Sequence, residues 1–343
     1  MSKRSANRID RITPFLIGLS VAVLTAALIA QCLGRYPLTI SELIEIISAK
    51  IIGRESAAPL AAQNVVWLVR LPRVIAALLV GAGLAVSGST YQSIFKNPLA
   101  APELLGVFQG SCVGAALAIL LNMGNLSIQF CSLTGGIAAV GLTNLITRFF
   151  KSDTTAILVL SGVIVSGLMN SVLGLLKYWM DNETQLPAIT YWQMGSLADM
   201  TMLKILMIAP TMLVTITVLL CMRWQFNLLS LGDAEARSLG VNLMLIRGVT
   251  IICSTLLTSC AVCLSGTVLW VGLIIPHLAR IFVGPDNVKL TPVSLLMGAI
   301  FLVLIDTIGR TVSSVEIPLS ILTGIVGAPG FILLISKQRM RIK

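Results

Sequence analysis

The chain has 343 residues, of which 56% are hydrophobic and 11% charged, and its formal net charge is +10. Soluble domains carry about a quarter of their residues as charged side chains, so this composition excludes an ordinary globular enzyme. The basic residues lie at the ends of apolar runs and form no patch interleaved with aromatic side chains, which argues against a nucleic-acid-binding protein.

Long apolar runs predict helices that cross a membrane, because about 20 helical residues span the roughly 30 Å of hydrocarbon in a bilayer. Backbone groups in lipid must be bonded within their own segment, which favours helices over strands. The first run is long for a signal peptide and precedes no cleavage site, so we expect an uncleaved helix. The turn at Ser265 and Gly266 alone separates the seventh run from the eighth. We predict ten spans, at residues 14–33, 74–95, 104–121, 127–147, 155–176, 202–222, 247–264, 266–283, 291–308 and 317–336.

Basic residues at the ends of these runs indicate the orientation of the chain. If both termini are cytoplasmic, the inner flanks hold twice as many Lys and Arg residues as the outer flanks. Positive residues favour the cytoplasmic side of a bilayer. We therefore predict a multi-pass protein with both termini in the cytoplasm.

Two of the outer connections are too long for simple turns. In residues 34–72, Thr39 and Glu42 have the spacing of a capping box, which favours the start of a helix. Apolar residues at helical spacing then predict an amphipathic helix lying on the membrane or against the spans. These residues are Ile40, Leu43, Ile44, Ile47 and Ile51. The second connection, 177–201, holds an interfacial aromatic pair, Tyr191 and Trp192, beside a short polar element.

Motifs for chemistry within the chain are missing from the sequence. It contains no G-x-x-x-x-G-K-[S/T] and no H-E-x-x-H motif, so nothing indicates that this chain hydrolyses ATP or binds catalytic zinc. The only histidine, His277, follows Pro276 near a span end, and we interpret it as a packing or capping group. Cys260 and Cys263 form a C-x-x-C without a nearby carboxylate or histidine, and buried free cysteine behaves as a small apolar side chain. We expect no catalytic residue, and no metal or cofactor bound by this chain.

Ionisable residues are nearly missing inside the predicted spans, apart from Asp306 near a helix end. A proton- or sodium-coupled carrier is expected to hold carboxylates at the middle of the membrane. This pattern favours a transporter whose energy source lies in another subunit. An ion-coupled secondary transporter is the alternative from another class, and an intramembrane enzyme is a weaker one.

The longest inner connection, 223–247, contains the signals of a short capped helix. Ser230, Asp233 and Glu235 are suited to its start, and Gly240 is suited to its end. Such a helix on the cytoplasmic face suits contact with a mechanical partner. A solvated connector is equally compatible with the residues alone.

This connection resembles the coupling segment of the FecCD-type permeases, the membrane subunits of ABC importers for ferric siderophores, haem and vitamin B12. Other motifs follow in that family's order from about residue 60 to the end of the chain. Gly330 departs from the pattern, since a bulkier residue usually follows the Ala-Pro pair there. The motifs lie at residues 71–73, 79–88, 92, 97–100, 102–106, 192–197, 272–280, 284–286 and 327–329.

The resemblance implies an all-α integral membrane protein of about ten transmembrane helices, a type II ABC importer permease similar to the vitamin B12 importer. A single permease domain would cover residues 1–343, in a bacterial cytoplasmic membrane. Its implied partners are a second permease copy or a homologous permease, two ATPase subunits that carry ATP and magnesium, and a periplasmic or lipid-anchored binding protein. The implied cargo is a ferric siderophore or haem, with cobalamin or an oxyanion such as molybdate as alternatives.

Three groups of site residues follow from the resemblance. The seat for the ATPase would be formed by Leu231, Gly232, Ala236, Arg237, Leu239 and Gly240. Glutamates of the binding protein would dock on Arg70, Arg73 and Arg310. Arginine suits bidentate recognition of carboxylates, and Asp306 has the i, i+4 spacing to hold Arg310. In the alternative, Arg70 and Arg73 only anchor their span at the lipid headgroups.

The third group is a small and polar stripe on the fifth span. It recurs every four residues and consists of Gly162, Ser166, Asn170 and Gly174. Small residues let membrane helices approach closely, so the stripe is compatible with plain packing. By resemblance it is also compatible with lining the translocation path at a subunit interface.

Overall fold

The computed structural model describes residues 3–150, 155–240 and 242–342, with the side chains of 12–150, 156–232, 235–240, 242–332 and 336. The regular secondary structure of these described residues is entirely helical. The helices are α1 (Lys3–Cys32), α2 (Ile40–Ile52), α3 (Leu60–Asn64), α4 (Leu71–Ile94), α5 (Val107–Leu120), α6 (Asn125–Phe149), α7 (Thr155–Trp179), α8 (Gln185–Met194), α9 (Met202–Cys221), α10 (Arg223–Leu231), α11 (Asp233–Ser238), α12 (Leu243–Ser265), α13 (Val271–Val283), α14 (Asn287–Thr311) and α15 (Leu319–Ile342). A π-helical turn, Val65–Arg70, joins α3 to α4, and a 3₁₀ turn, Pro102–Leu105, precedes α5.

The ten predicted spans correspond to ten helices. Seven helical segments among the described residues are long and apolar enough to cross a membrane: Ile12–Cys32, Leu60–Ile94, Asn125–Phe149, Ala156–Trp179, Met202–Cys221, Leu243–Ser265 and Asn287–Thr311. Three shorter apolar helices complete the set: Val107–Leu120, Val271–Val283 and Leu319–Ile332. The all-helical membrane fold predicted from the apolar runs is confirmed.

The bundle has two ends, which we name by the helices that lie there. At the α2 end, Arg310 of α14 donates to the carbonyl of Ala30 in the last turn of α1. At the α10–α11 end, the Asn227 amide of α10 lies 2.7 Å from the Asp286 carboxylate, just before α14 begins. The long helices run between these two ends.

Two helices are short because each begins inside the bundle. Residues 95–106 turn back into the bundle from the α10–α11 end, and α5 starts only at Val107. Residues 266–270 form a non-helical stretch after α12, so α13 starts at Val271. The approximate starts predicted at 104 and 266 lie three and five residues before the observed starts at Val107 and Val271, because apolar runs include these approaches as well as the helices.

Close backbone approach holds the interior helices together. A side chain at Gly88 of α4 would clash with the carbonyl oxygen of Gly272 in α13, so only glycine fits there. Hydroxyl pairs join α4 to α12: Ser87 with Thr258 and Thr90 with Ser254, each at 2.8 Å. These bonds give the buried hydroxyl groups hydrogen-bond partners, which neither lipid nor apolar side chains supply.

The predicted capping box at the start of α2 is present. The Glu42 carboxylate accepts a 2.8 Å bond from the Thr39 amide, and the Thr39 hydroxyl accepts from the Glu42 amide at 3.2 Å. These bonds from Thr39 lower the pKa of Glu42 from its ordinary value. The buried face of α2 packs against Leu38, Ala62 and Val66. This buried face consists of Leu43, Ile46 and Ala49. Of the residues predicted to form the apolar face, Ile40, Ile44 and Ile51 are exposed.

Candidate functional site

The inner connection forms two short helices separated by a glycine. The sequence predicted Ser230 at the start of a helix. It lies instead in the last turn of α10, where its hydroxyl donates to the Asn227 carbonyl at 2.6 Å. Gly232 has a φ of 136°, in the region that favours glycine, and α11 begins immediately after it. Gly240 has a φ of 78° and its amide donates to the Arg237 carbonyl at 3.0 Å, so it ends the segment as predicted.

The six residues predicted to contact an ATPase differ in exposure. Leu231 is 57% exposed and Leu239 is 61% exposed, and Arg237 and Gly240 are exposed as well. Gly232 is half-buried, and Ala236 is fully buried against the bundle. The segment therefore exposes two leucines, at the end of α10 and just after α11, while Ala236 of α11 packs against the bundle.

Asn227 anchors this segment and was missed by the sequence analysis. Its side-chain amide donates to the Asp286 carboxylate, and its side-chain oxygen accepts from the Asn287 amide, both at 2.7 Å. The three residues tie α10 to the first turn of α14. An open groove of about 870 Å³ lies beside the anchor, lined by residues that include Phe15, Leu231, Phe282 and Lys289.

Arg70, predicted to dock a binding protein, is 3% exposed and lies at the end of α1. One terminal nitrogen donates to the carbonyls of Gln31, at 2.6 Å, and Cys32, at 3.1 Å. The other donates to the Tyr36 carbonyl at 2.6 Å. The last carbonyls of a helix lack helical partners and carry partial negative charge, so this cation closes the end of α1.

Arg73 and Arg310 are also buried, at 5% and 6% exposure. Arg73 Nε lies 2.9 Å from both carboxylate oxygens of Asp306, and its Nη1 lies 2.8 Å from Glu316. Arg310 Nε lies 3.7 Å from Asp306, the i, i+4 pair expected from the sequence, and its Nη2 donates to the Ala30 carbonyl. We call the set Arg70, Arg73, Asp306, Arg310 and Glu316 the arginine network.

The arginine network changes the interpretation of the three arginines. Their guanidinium groups are bound within the chain and join α1, α4 and α14 at the α2 end. A binding protein that docked on them directly would have to displace these bonds. The burial also disagrees with headgroup anchoring, which needs the cation at the lipid surface. Direct docking thus stays a prediction, and the observed contacts favour a structural role.

The stripe on α7 divides into two halves. Gly162 is buried, and a side chain there would clash with the carbonyl of Leu104 in the 3₁₀ turn. Ser166 is half-buried beside Gly106. Its Oγ lies 3.3 Å from the position that a Cβ atom on Gly106 would occupy. Asn170 and Gly174 are exposed. The first half thus packs within the chain, and the second half is open to a partner or a path.

His277 and the cysteines occupy the kinds of positions that the sequence suggested. His277 is 4% exposed and its ring lies 5.8 Å from that of Phe331. Cys260 and Cys263 are fully buried as free thiols. Among the residues described, no group of three or more His, Cys, Asp and Glu side chains is placed to hold a metal ion. The remaining cysteines are Cys32, Cys112, Cys131, Cys221 and Cys253.

Comparison with known proteins agrees with this architecture. The FecCD transport family matches residues 19–337. The molybdate import system permease protein MolB of Haemophilus influenzae is 39% identical over 96% of this chain and 97% of its own length. The hemin transport system permease protein HmuU of Yersinia pestis is 36% identical over 80% of this chain and 84% of its own length. A solved structure, described as an inward-facing conformation of a metal-chelate type ABC transporter, has a TM-score of 0.86 and 39% identity, covering 95% of this chain and 99% of that one. The chain therefore belongs to the FecCD transport family and has the fold of a type II ABC importer permease.

Proposed function

We propose that the chain is the membrane-spanning subunit of an ABC importer that moves an iron chelate, a ferric siderophore or haem, across a bacterial cytoplasmic membrane. The observation that carries this proposal is the α10–α11 segment, with exposed Leu231 and Leu239 and its anchor at Asn227. A rigid seat with outward apolar side chains suits a partner that pushes on it. Separate subunits would bind ATP and magnesium and hydrolyse the ATP, and this chain would be non-catalytic.

The distribution of basic residues supports an orientation of the chain in the membrane. We place the α10–α11 end in the cytoplasm, together with both termini, because basic residues are concentrated on those flanks. The segment 34–72 with α2 would then be periplasmic. A periplasmic or lipid-anchored binding protein would deliver cargo at the α2 end, and two ATPase subunits would sit at the other.

A translocation path would form between this chain and a second permease subunit. The exposed half of the α7 stripe, Asn170 and Gly174, supports this location, since it offers small and polar groups outside the single chain. Gly162 and Ser166 would support this part of α7 from within the chain, through their contacts with Leu104 and Gly106. Whether the second subunit is a copy or a homologue does not alter this arrangement.

Cobalamin or an oxyanion such as molybdate is the second candidate cargo. Relatives at 36–39% identity are named for molybdate, hemin and, in Citrobacter koseri, vitamin B12. Since these identities lie so close together, they favour none of the cargoes. The choice of an iron chelate rests on the resemblance described above.

Reconstituted vesicles test the proposal. The chain is incorporated with its ATPase and binding protein, and uptake of a radiolabelled ferric chelate is followed with ATP present or omitted. We expect uptake only when ATP and both partners are present. Uptake driven by a proton or sodium gradient without the ATPase would overturn the proposal and favour the ion-coupled alternative.

A further inference from the structure

Glu103 is an ionisable side chain at membrane depth that the predicted spans left out. It lies in the 3₁₀ turn Pro102–Leu105, just before the predicted start of a span at 104. Its neighbours Pro102 and Leu105 are buried, whereas Glu103 itself is half-buried. A hydrogen bond closes the turn, since the Glu103 carbonyl accepts from the Gly106 amide at 3.1 Å.

Three neighbouring helices fix the depth of this turn. The Leu104 carbonyl abuts Gly162, six residues inside the span Ala156–Trp179, and the Leu105 carbonyl accepts from Thr143, six residues before the end of α6. Pro102 contacts Gly272, which abuts Gly88, six residues before the end of α4. At 1.5 Å per residue, each contact lies about 9 Å from the α10–α11 end.

That depth lies within the hydrocarbon. The three helices that these contacts reach, α4, α6 and α7, have 24 or 25 residues, or about 37 Å, so they exceed the roughly 30 Å of hydrocarbon by only a few ångströms at each end. A turn about 9 Å inside the bundle therefore lies several ångströms below the headgroup boundary. Carboxylates at such depth face a water-filled space or a partner and avoid lipid.

Within the described part of the chain, Glu103 forms no salt bridge. Asp306, by contrast, is 1% exposed and paired with two arginines. A half-buried carboxylate without a cation is suited to meet a solute. One of the helices that contact the turn is α7, where the Leu104 carbonyl abuts Gly162, and Gly106 just after the turn lies beside Ser166.

We propose that Glu103 is a specificity-determining residue of the translocation path: its carboxylate faces the path and disfavours anionic cargo relative to neutral or cationic metal chelates. The inference rests on the proposed function, because that function places the path along α7. A negative charge at this depth repels a dianionic oxyanion and attracts a cation through a medium of low dielectric constant. It therefore favours a neutral or cationic metal chelate over molybdate as the cargo.

Charged thiol reagents measure this field without requiring transport. Ser166→Cys provides a thiol beside the 3₁₀ turn, in the assembled complex with its ATPase in vesicles. Its reaction rates with a cationic trimethylammonium-ethyl and an anionic sulfonato-ethyl methanethiosulfonate are followed by peptide-resolved mass spectrometry, which leaves the native cysteines in place. We expect Glu103→Gln to lower the cation-to-anion rate ratio about tenfold. Glu183→Gln, which changes a carboxylate beyond the end of α7, is the matched control and should leave the ratio unchanged.

An unchanged ratio in Glu103→Gln overturns the inference. If neither reagent modifies position 166, Glu103→Cys is tested in the same way. Because that variant removes the carboxylate, it reports access alone: reaction with either reagent supports a position that faces the path, and no reaction with either reagent also overturns the inference. Uptake of ferric chelate in the same vesicles separates the two proposals, since ATP-driven uptake with an unchanged ratio rejects only the role of Glu103. Uptake by an ion gradient without the ATPase rejects the importer itself.

Discussion

The two ends of the bundle handle polar groups in opposite ways. At the α2 end, three arginines are 3%, 5% and 6% exposed and are consumed by bonds within the chain. At the α10–α11 end, Leu231 and Leu239 are more than half exposed, on a segment fixed by Asn227. Buried charge therefore joins helices at the α2 end, and two exposed leucines lie on an anchored segment at the α10–α11 end. Residue type alone would have suggested the reverse.

The contrast has an energetic basis. Removing a cation from water costs several kcal/mol, so a buried guanidinium is stable only when carboxylates and carbonyls replace the lost water. The arginine network supplies these groups from α1, α14 and the segment before α15. An exposed leucine carries no such cost and gains energy when a partner covers it. The two ends should therefore respond differently to substitution.

Arg73→Ala should produce the largest loss of stability. It leaves Asp306 and Glu316 without their shared cation, and breaking a buried ion pair costs about 3–5 kcal/mol. Thermal unfolding of the purified protein in detergent measures the effect. Arg54→Ala, which breaks an exposed pair with Glu45, is the control and should cost less than about 1 kcal/mol.

The same variant separates cohesion from docking. If Arg73→Ala unfolds at the normal temperature yet loses affinity for the binding protein, the arginine network is weak and direct docking is correct. If the variant loses both thermal stability and affinity for the binding protein, and the affinity returns at lower temperature, the arginines hold the helices together and do not dock the partner directly.

Arg70→Ala should have the next largest effect. Its removal leaves the carbonyls of Gln31, Cys32 and Tyr36 without a donor, at about 1–3 kcal/mol. Because the loss is local to the end of α1, proteolysis in the segment 33–39 should accelerate along with the fall in unfolding temperature. Arg35→Ala removes an exposed side chain with one 3.3 Å bond, to Ser313, and should change neither measurement. Equal effects of the two variants would contradict the role of Arg70.

The sequence predicted the helices well because hydrophobic length and caps are local properties. Each apolar run became a helix, and the Thr39–Glu42 box and Gly240 act at the ends where they were expected. The roles of the arginines were less accessible. Arg73 and Asp306 are 233 residues apart, and no local pattern shows that they meet. Only the i, i+4 pair of Asp306 and Arg310 was predictable, since it lies on one helix.

Depth was the other quantity that the sequence did not contain. An apolar run reads the same whether a helix starts at the membrane surface or inside the bundle. Residues 96–103 therefore appeared as a connection, which left Glu103 just outside the span predicted from 104, and 266–270 appeared as part of a span. A proline followed by an acidic residue and a leucine pair, directly before a short apolar run, was the one signal available.

Leu239→Asp tests the other end, with a smaller effect expected on binding. A charge on this exposed residue should weaken association with the ATPase at least about tenfold, or about 1.4 kcal/mol, and lower ATP-driven uptake. The unfolding temperature should stay unchanged, because the side chain is 61% exposed. Val315→Asp, at the opposite end and 72% exposed, is the matched control for ATPase binding. Similar loss in both variants would mean that the α10–α11 end has no special role.

The smallest expected effect is a pH dependence confined to the start of α2. Bonds from Thr39 lower the pKa of Glu42 below its ordinary 4.5, so the ionised carboxylate is the form that stabilises the helix start. That contribution is complete above about pH 4.5 and is lost as pH falls through the lowered pKa in the folded protein. Hydrogen-exchange protection of the first-turn amides of α2 should therefore fall at acid pH. In Glu42→Gln the protection should stay constant over the same range, and helix α12, whose first turn is capped by the Asn242 side chain, should show no such change in either protein. An equal acid response in both helices would reveal general unfolding, because only α2 of the two has a carboxylate-dependent cap.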